Sequence, residues 1–118
     1  MNINNGEHGT TFGGGPVVCS AAIATVKEIK KIKDVSKKSQ YIKTKLEQNL
    51  LVEKVHGEGL LLGIEVKNEQ PDLIKNCLKK GLIIGNSSKK TVFRIMPPLN
   101  INYKEINQFL EIFLTTLS

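Results

Sequence analysis

The sequence predicts a single small α/β domain, a sandwich in which helices cover one face of a sheet. Helical apolar periodicity dominates the beginning and the end of the chain, whereas the middle holds short apolar segments separated by glycine and proline. The predicted order is therefore two leading helices followed by β-β-α-β-β-α. With 118 residues, 40% hydrophobic and 24% charged, the chain is neither a disordered tail nor a fibre.

The two leading helices follow a loop. Residues 1–16 are rich in glycine and threonine without periodicity, which predicts a loop. Residues 17–32 carry small and apolar residues at helical spacing, and Pro16 suits the first turn of that helix. Asp34 is the predicted N-cap of a second helix that extends to about residue 51.

The middle of the chain predicts four strands. Residues 52–66 have the pattern of a strand, a tight glycine turn and a second strand. Residues 82–85 form a short apolar segment and residues 91–96 another, which the two prolines after Met96 end.

Two further helices complete the pattern. The first starts at Pro71 and Asp72 and ends at Lys80, with Gly81 as the residue that stops it. Asn102 caps the last helix, whose apolar residues recur at i, i+3 and i+4. These residues are Ile106, Phe109, Leu110, Phe113, Leu114 and Leu117.

The positive charge is concentrated in one segment. The chain has 17 Lys+Arg against 11 Asp+Glu, and eight of the lysines lie in residues 27–45. This segment has no arginine and only Tyr41 as an aromatic, which is typical of a solvated helical surface and not of nucleic-acid recognition. A nucleic-acid-binding module, which would bind in a salt-sensitive way, is the least favoured alternative.

Other common sites are not predicted. No apolar run approaches the roughly 18 residues of a membrane span, and residues 1–5 do not resemble a signal peptide. We therefore expect a cytoplasmic protein with no membrane partner, in which Cys19 and Cys77 are reduced structural thiols. His8 and His56 lack metal-ligand spacing, so we expect no metal site.

Two features carry candidate chemistry. Thr10 and Thr11 lie in a glycine-rich loop directly before a helix, where hydroxyl and backbone N–H groups favour an anion such as phosphate. The alternative is a flexible linker. Arg94, the only arginine, lies on a predicted strand, which suits bidentate recognition of a carboxylate. The alternative is a surface arginine on an edge strand.

At these features the sequence resembles class III, pyridoxal-phosphate-dependent aminotransferases, most closely the acetylornithine type, with the ornithine and 4-aminobutyrate types as neighbours. Four segments carry the resemblance in order: HGTTFGGGPVVCSAA (8–22), VHGEGLLLGIE (55–65), GLII (81–84) and VFRIMPPLNI (92–101). The resemblance implies a small C-terminal domain of the fold-type I transferases over residues 17–118, and a loop at residues 1–16 that belongs to the cofactor site.

The resemblance also implies roles for individual residues. Thr11 matches the threonine that reaches the phosphate of pyridoxal 5'-phosphate in the partner subunit of a homodimer, and Thr10 matches a residue near the substrate. Arg94 matches the arginine that binds the substrate carboxylate. Two positions depart from the family pattern: Gly15 stands where asparagine is usual, and His56 stands where arginine is common. We assign His56 no catalytic part.

The resemblance covers only the C-terminal part of such an enzyme, so we expect the domain with the cofactor-binding lysine to be absent. The expected reaction of the intact enzyme is amino transfer between N-acetylornithine and 2-oxoglutarate in arginine biosynthesis. The chain would then be a truncated chain, an excised domain or a split gene product, without catalytic residues of its own, inactive alone and without bound cofactor. The alternatives are a stand-alone oligomerisation or interaction module, and a fragment of an ornithine or 4-aminobutyrate aminotransferase.

Overall fold

The structure, a computed structural model, describes residues 9–117. The chain divides into two compact units, Met1–Ile32 and Lys33–Ser118. The described part of the first unit holds a loop and helix α1 (Pro16–Ile29). The second unit contains α2 (Val35–Glu47), β1 (Val52–Glu58), β2 (Leu61–Val66), α3 (Leu73–Lys79), β3 (Gly85–Asn86), β4 (Val92–Ile95) and α4 (Tyr103–Thr116). This order confirms the predicted fold class.

The four strands form one antiparallel sheet in the order β1-β2-β4-β3. Along β2, Leu62, Ile64 and Val66 are buried, while Gly63 and Glu65 alternate with them on the opposite side. Since successive side chains of a strand point to opposite faces, one face of the sheet lies against the core. The other is called here the open face, and it carries Lys54, His56, Gly63, Glu65 and Arg94.

The core lies between the buried face of the sheet and three helices. Ile106, Leu110 and Phe113 form the buried stripe of α4, and the ring of Phe113 meets the ring of Phe93 on β4 edge-on, with centroids 6.5 Å apart. A stripe at this spacing faces one side of a helix, so α4 packs across the sheet as its periodicity predicts.

The start of α2 differs in detail from the prediction. Asp34 occupies the N-cap position, but its side chain makes no capping hydrogen bond. Its Oδ2 lies 3.0 Å from Nζ of Lys38, a side chain only 7% exposed. A buried ammonium group costs free energy unless it is paired. The carboxylate of Asp34 therefore forms an ion pair with Lys38 and does not cap the helix. Lys38 is thus an exception to the solvated lysine surface predicted for residues 27–45.

The end of α2 is earlier than predicted. The helix ends at Glu47, since the side-chain oxygen of Asn49 accepts a hydrogen bond from the N–H of Leu51 and its backbone oxygen accepts one from Val52. These bonds close a turn that leads directly into β1. The predicted extension to residue 51 is therefore wrong.

The predicted strand at residues 82–85 is also displaced. Gly81 has φ +82°, and its N–H bonds to the oxygen of Leu78, while the N–H of Leu82 bonds to the oxygen of Cys77. These bonds form a Schellman motif, so the backbone at Leu82 ends α3 and does not join the sheet. Pairing begins only at Gly85, which leaves β3 two residues long.

Helix α4 begins as the sequence predicts. The side chain of Asn102 accepts a hydrogen bond from the N–H of Glu105 at 2.9 Å, and Oε2 of Glu105 accepts one from the N–H of Asn102 at 2.9 Å. This capping box satisfies two backbone donors that the helix itself leaves unpaired.

We expect Asn102→Ala to lower the free energy of unfolding by about 1 kcal/mol, because it removes the acceptor for the N–H of Glu105. Urea denaturation followed by circular dichroism measures this change. The control is Asn102→Asp, which keeps an acceptor oxygen and should leave the stability near that of the parent chain. Equal losses in the two variants would contradict this account of the cap.

Candidate functional site

Arg94 lies on β4 with its side chain on the open face. Its neighbours Phe93 and Ile95 are buried in the core and hold the strand in place, whereas Arg94 itself is exposed. In the sheet it pairs with Gly63 of β2 on one side and Gly85 of β3 on the other. Within residues 9–117 it forms no ion pair, which leaves the guanidinium free to bind a carboxylate from outside the domain.

The side chain of Arg94 leans over Gly85. A β-carbon placed on Gly85 would lie 3.8 Å from Nε of Arg94, so the arginine passes across a position that has no side chain. Both residues line a cleft of about 460 Å³ between α4, residues 81–85 and the end of β4. The lining is mostly apolar, with Glu105 and Gln108 as its other polar residues. A planar cation therefore lies beside a cleft in the second unit.

The register of the sheet brings His56 into line with Arg94. His56 pairs with Gly63, Gly63 pairs with Arg94, and Arg94 pairs with Gly85, so these residues form one row across all four strands. A β-carbon on Gly63 would lie 2.5 Å from Nε2 of His56, so the imidazole occupies the space above that glycine. The sequence assigned His56 no catalytic part and did not place it beside Gly63, because alternation along β1 does not reveal the cross-strand partner.

Glu65 adds a negative charge to the same face. A hydrogen bond from Lys89 holds the pKa of the Glu65 carboxyl below its ordinary value, and the charges of Lys89, His56 and Lys54 act in the same direction against the cost of desolvation. The open face thus carries both positive and negative charges, and the carboxylate of Glu65 forms an ion pair with Lys89.

In the first unit, the glycine-rich loop leads into an uncapped helix. Thr10 and Thr11 are exposed, and Gly15 has the extended backbone of an N-cap (φ −67°, ψ 152°) but no side chain to cap α1. Pro16 occupies the first turn as predicted. The helix N-terminus and two adjacent hydroxyls are a donor set that fits a phosphate group.

The departure at Gly15 has a structural consequence. Asparagine, the residue usual in the family pattern, is among the best N-caps, whereas glycine contributes no acceptor. The first-turn N–H groups of α1 are therefore left without a side-chain partner. Thr10 and Thr11 belong to the first unit and Arg94 to the second. His8, which begins this motif, lies outside the described residues.

The cysteines differ from each other. Both are free, but Cys77 is buried and Cys19 is exposed, so the prediction that both are structural thiols is wrong for Cys19. Burial raises the pKa of the Cys77 thiol, although a hydrogen bond with Thr116 and the charge of Lys80 act in the opposite direction. Across residues 9–117, no group of three or more potential metal ligands is found, and no helix is long and apolar enough to cross a membrane.

The second unit is a small α/β domain that presents one exposed arginine on the open face of its antiparallel sheet. The comparisons with known proteins give the family. Residues 1–117 match the aminotransferase class-III family, and the chain belongs to it. The proteins of this family use pyridoxal phosphate as their cofactor, which confirms the predicted cofactor class.

Several relatives are acetylornithine aminotransferases. The chain is 41% identical to the mitochondrial enzyme of Alnus glutinosa, over 98% of this chain and 27% of the relative. It is 39% identical to the enzyme of Clostridium acetobutylicum, over 92% of this chain and 30% of the relative. Among solved structures, the acetylornithine aminotransferase of Elizabethkingia anophelis superposes with a TM-score of 0.75 at 27% identity, over 98% of this chain and 33% of that one. The chain thus spans less than a third of the length of the curated relatives it matches.

We expect Glu65 to contribute to stability above its ordinary pKa of 4.5, because its pKa is lowered in the folded protein and the ionised form is favoured there. The contribution should disappear as the pH falls below that value. The free energies of unfolding of the parent chain and Glu65→Gln, measured by urea denaturation, should therefore converge as the pH is lowered from above 4.5 to below it.

Lys89→Gln is the matched partner variant, since Lys89 supplies the largest effect on Glu65. It should remove much of the same pH dependence. A difference between the parent chain and Glu65→Gln that does not shrink as the pH falls below 4.5 would contradict the assignment.

Proposed function

We propose that this chain is the substrate-binding C-terminal domain of an acetylornithine-type aminotransferase, which transfers an amino group between N-acetylornithine and 2-oxoglutarate in arginine biosynthesis. Membership of the class III family and the names of the relatives support this proposal. The structural observation that carries it is the position of Arg94, exposed on a strand whose flanking residues are buried.

Arg94 would bind the carboxylate shared by the amino donor and the 2-oxo acid. Its guanidinium offers two parallel N–H donors, a geometry that matches the two oxygens of a carboxylate. Because Phe93 and Ile95 are buried in the core, the guanidinium of Arg94 is held on a rigid strand and not on a loop. Binding at this point would orient the substrate so that its amino or oxo carbon faces the cofactor.

The loop before α1 would contribute to cofactor binding. We assign the hydroxyl of Thr11 and the uncapped first turn of α1 to the phosphate of pyridoxal phosphate, in the partner subunit of a homodimer, with Thr10 next to the substrate. The cofactor, when bound, stabilises the negative charge that develops at the substrate carbon. The cofactor-binding lysine would belong to the part of the enzyme that this chain does not cover, and a cytoplasmic location is part of the same proposal.

We expect Arg94→Lys to raise the KM for 2-oxoglutarate by about tenfold in a full-length enzyme, because lysine keeps the charge but loses the second N–H donor. The test enzyme is a chimera in which this chain replaces the matching segment of the Clostridium acetobutylicum relative. Steady-state kinetics with N-acetylornithine and 2-oxoglutarate measure the change.

Lys54→Gln is the control, because it removes a cation from the open face while leaving Arg94 intact. Its KM should stay close to that of the parent chimera. A parent chimera that does not transfer the amino group between these two substrates would count against the proposed function. Unchanged kinetics in Arg94→Lys would refute the substrate role of Arg94.

The 118-residue chain alone should show no transaminase turnover, because none of its lysines lies in the sequence context of a cofactor-binding lysine. The assay incubates the chain with pyridoxal phosphate, N-acetylornithine and 2-oxoglutarate and follows glutamate formation. The chimera serves as the positive control. Cofactor-dependent glutamate formation by the chain alone would show that the catalytic part of the proposal is wrong.

A further inference from the structure

We infer that α1 is a self-association surface, through which two copies of this chain pair with their α1 helices side by side and antiparallel. The partner is a second copy of this chain. The inference goes beyond the proposed function, because it states which surface joins two copies and involves neither substrate nor cofactor.

Helix α1 buries none of its residues in this chain. Four of its large apolar side chains, Val18, Ile23, Val26 and Ile29, are between 45% and 57% exposed. Single apolar side chains are normal on a protein surface, but a contiguous apolar face indicates an interaction site.

The apolar residues of α1 include a stripe at coiled-coil spacing. The a and d positions of two heptads, at intervals of three, four and three, are Cys19, Ala22, Val26 and Ile29. These four residues are called here the α1 stripe. Thr25 borders the stripe, and its hydroxyl already donates a hydrogen bond to the backbone oxygen of Ala21 at 2.9 Å. Covering the stripe therefore leaves this polar group satisfied.

The order of small and large residues makes the stripe complementary to itself in one orientation. Cys19 and Ala22 lie in its N-terminal half, and Val26 and Ile29 lie in its C-terminal half. In an antiparallel pair, Cys19 would face the partner's Ile29 and Ala22 would face the partner's Val26, so every layer combines a small and a large side chain. A parallel pair would place alanine against alanine and leave space unfilled.

The lysines at the end of α1 favour the same orientation. Residues 27–33 contain four lysines and one glutamate. A parallel pair would bring both of these segments to one end, whereas an antiparallel pair separates them by about 21 Å, the length of a helix of 14 residues. This separation exceeds the Debye length of about 8 Å at physiological ionic strength, so the two segments would repel each other little.

Sedimentation equilibrium of the reduced 118-residue chain measures the association. Two heptads form a small interface, so we expect a dimer with a dissociation constant of about 100 µM. Val26→Lys places a charge in the stripe and should raise this constant by about tenfold or more. Ala24→Lys is the matched control, because it adds the same charge on the opposite side of α1 and should leave the association unchanged. Neither variant removes a core contact, since α1 has no buried residue.

Disulfide cross-linking tests the orientation. In the antiparallel pair, Ile29→Cys places a new thiol opposite Cys19 of the second copy, so mild oxidation should give a disulfide-linked dimer. Within one chain these two positions are ten residues apart, about 15 Å along the helix, which is too far for a bond. The parent chain should not cross-link under the same conditions. Ala24→Cys, with the same number of thiols, is the control and should not cross-link either.

Three results would each overturn the inference. They are a parent chain that remains monomeric at about 1 mM, a Val26→Lys variant that associates as the parent does, and a parent chain that cross-links as fast as Ile29→Cys. If the parent chain is monomeric and Val26→Lys lowers the thermal stability of the chimera, the rest of the enzyme and not a second copy covers the stripe. None of the measurements on the 118-residue chain uses substrate or cofactor, so their failure leaves the proposed function unaffected.

Discussion

The register of β2 between β1 and β4 is the constraint on which the rest of the domain depends. Leu62 and Ile64 are completely buried, and each is paired with a buried residue of a neighbouring strand. A shift of one residue would expose this whole set and bury Glu65 in its place. The free-energy cost of exposing these apolar residues and burying Glu65 keeps the strands in one register. The same register determines which residues share the open face.

The short edge strand gives the surface around Arg94 its shape. The Schellman motif at the end of α3 uses the backbone of Leu82, so β3 pairs through only two residues and leaves a cleft beside β4. Short edge strands also offer few unpaired backbone groups to other chains. The Schellman motif that ends α3 thus sets one boundary of the cleft beside Arg94.

The two units contribute different chemistry to the proposed enzyme. The first presents hydroxyls and an uncapped helix N-terminus, which favour a phosphate group. The second presents donors for carboxylates on a rigid sheet. An aminotransferase needs both functions, because its cofactor is held by a phosphate and its substrates share a carboxylate. On the proposed function, a chain with less than a third of the length of its curated relatives would therefore still carry recognition residues for both molecules.

The sequence alone determined the fold class, the order of elements and the capping of α4, because these depend on local periodicity and on residues close in the chain. Asn102 and Glu105 are three positions apart, and their capping box could be read directly. The sequence also singled out Thr10, Thr11 and Arg94, whose proposed roles rest on residue type and on family resemblance.

Only the tertiary structure decided what depends on partners distant in the chain. The carboxylate of Asp34 pairs with the buried Lys38 and does not cap α2. Strand β3 is only two residues long because the end of α3 takes up the residues before it, and Cys19 is exposed. His56 and Arg94 are 38 positions apart, and only the pairing of both strands with Gly63 places them in one row. Periodicity assigns a residue to a face of a strand, but the neighbour across the sheet is set by the packing energy of the whole register.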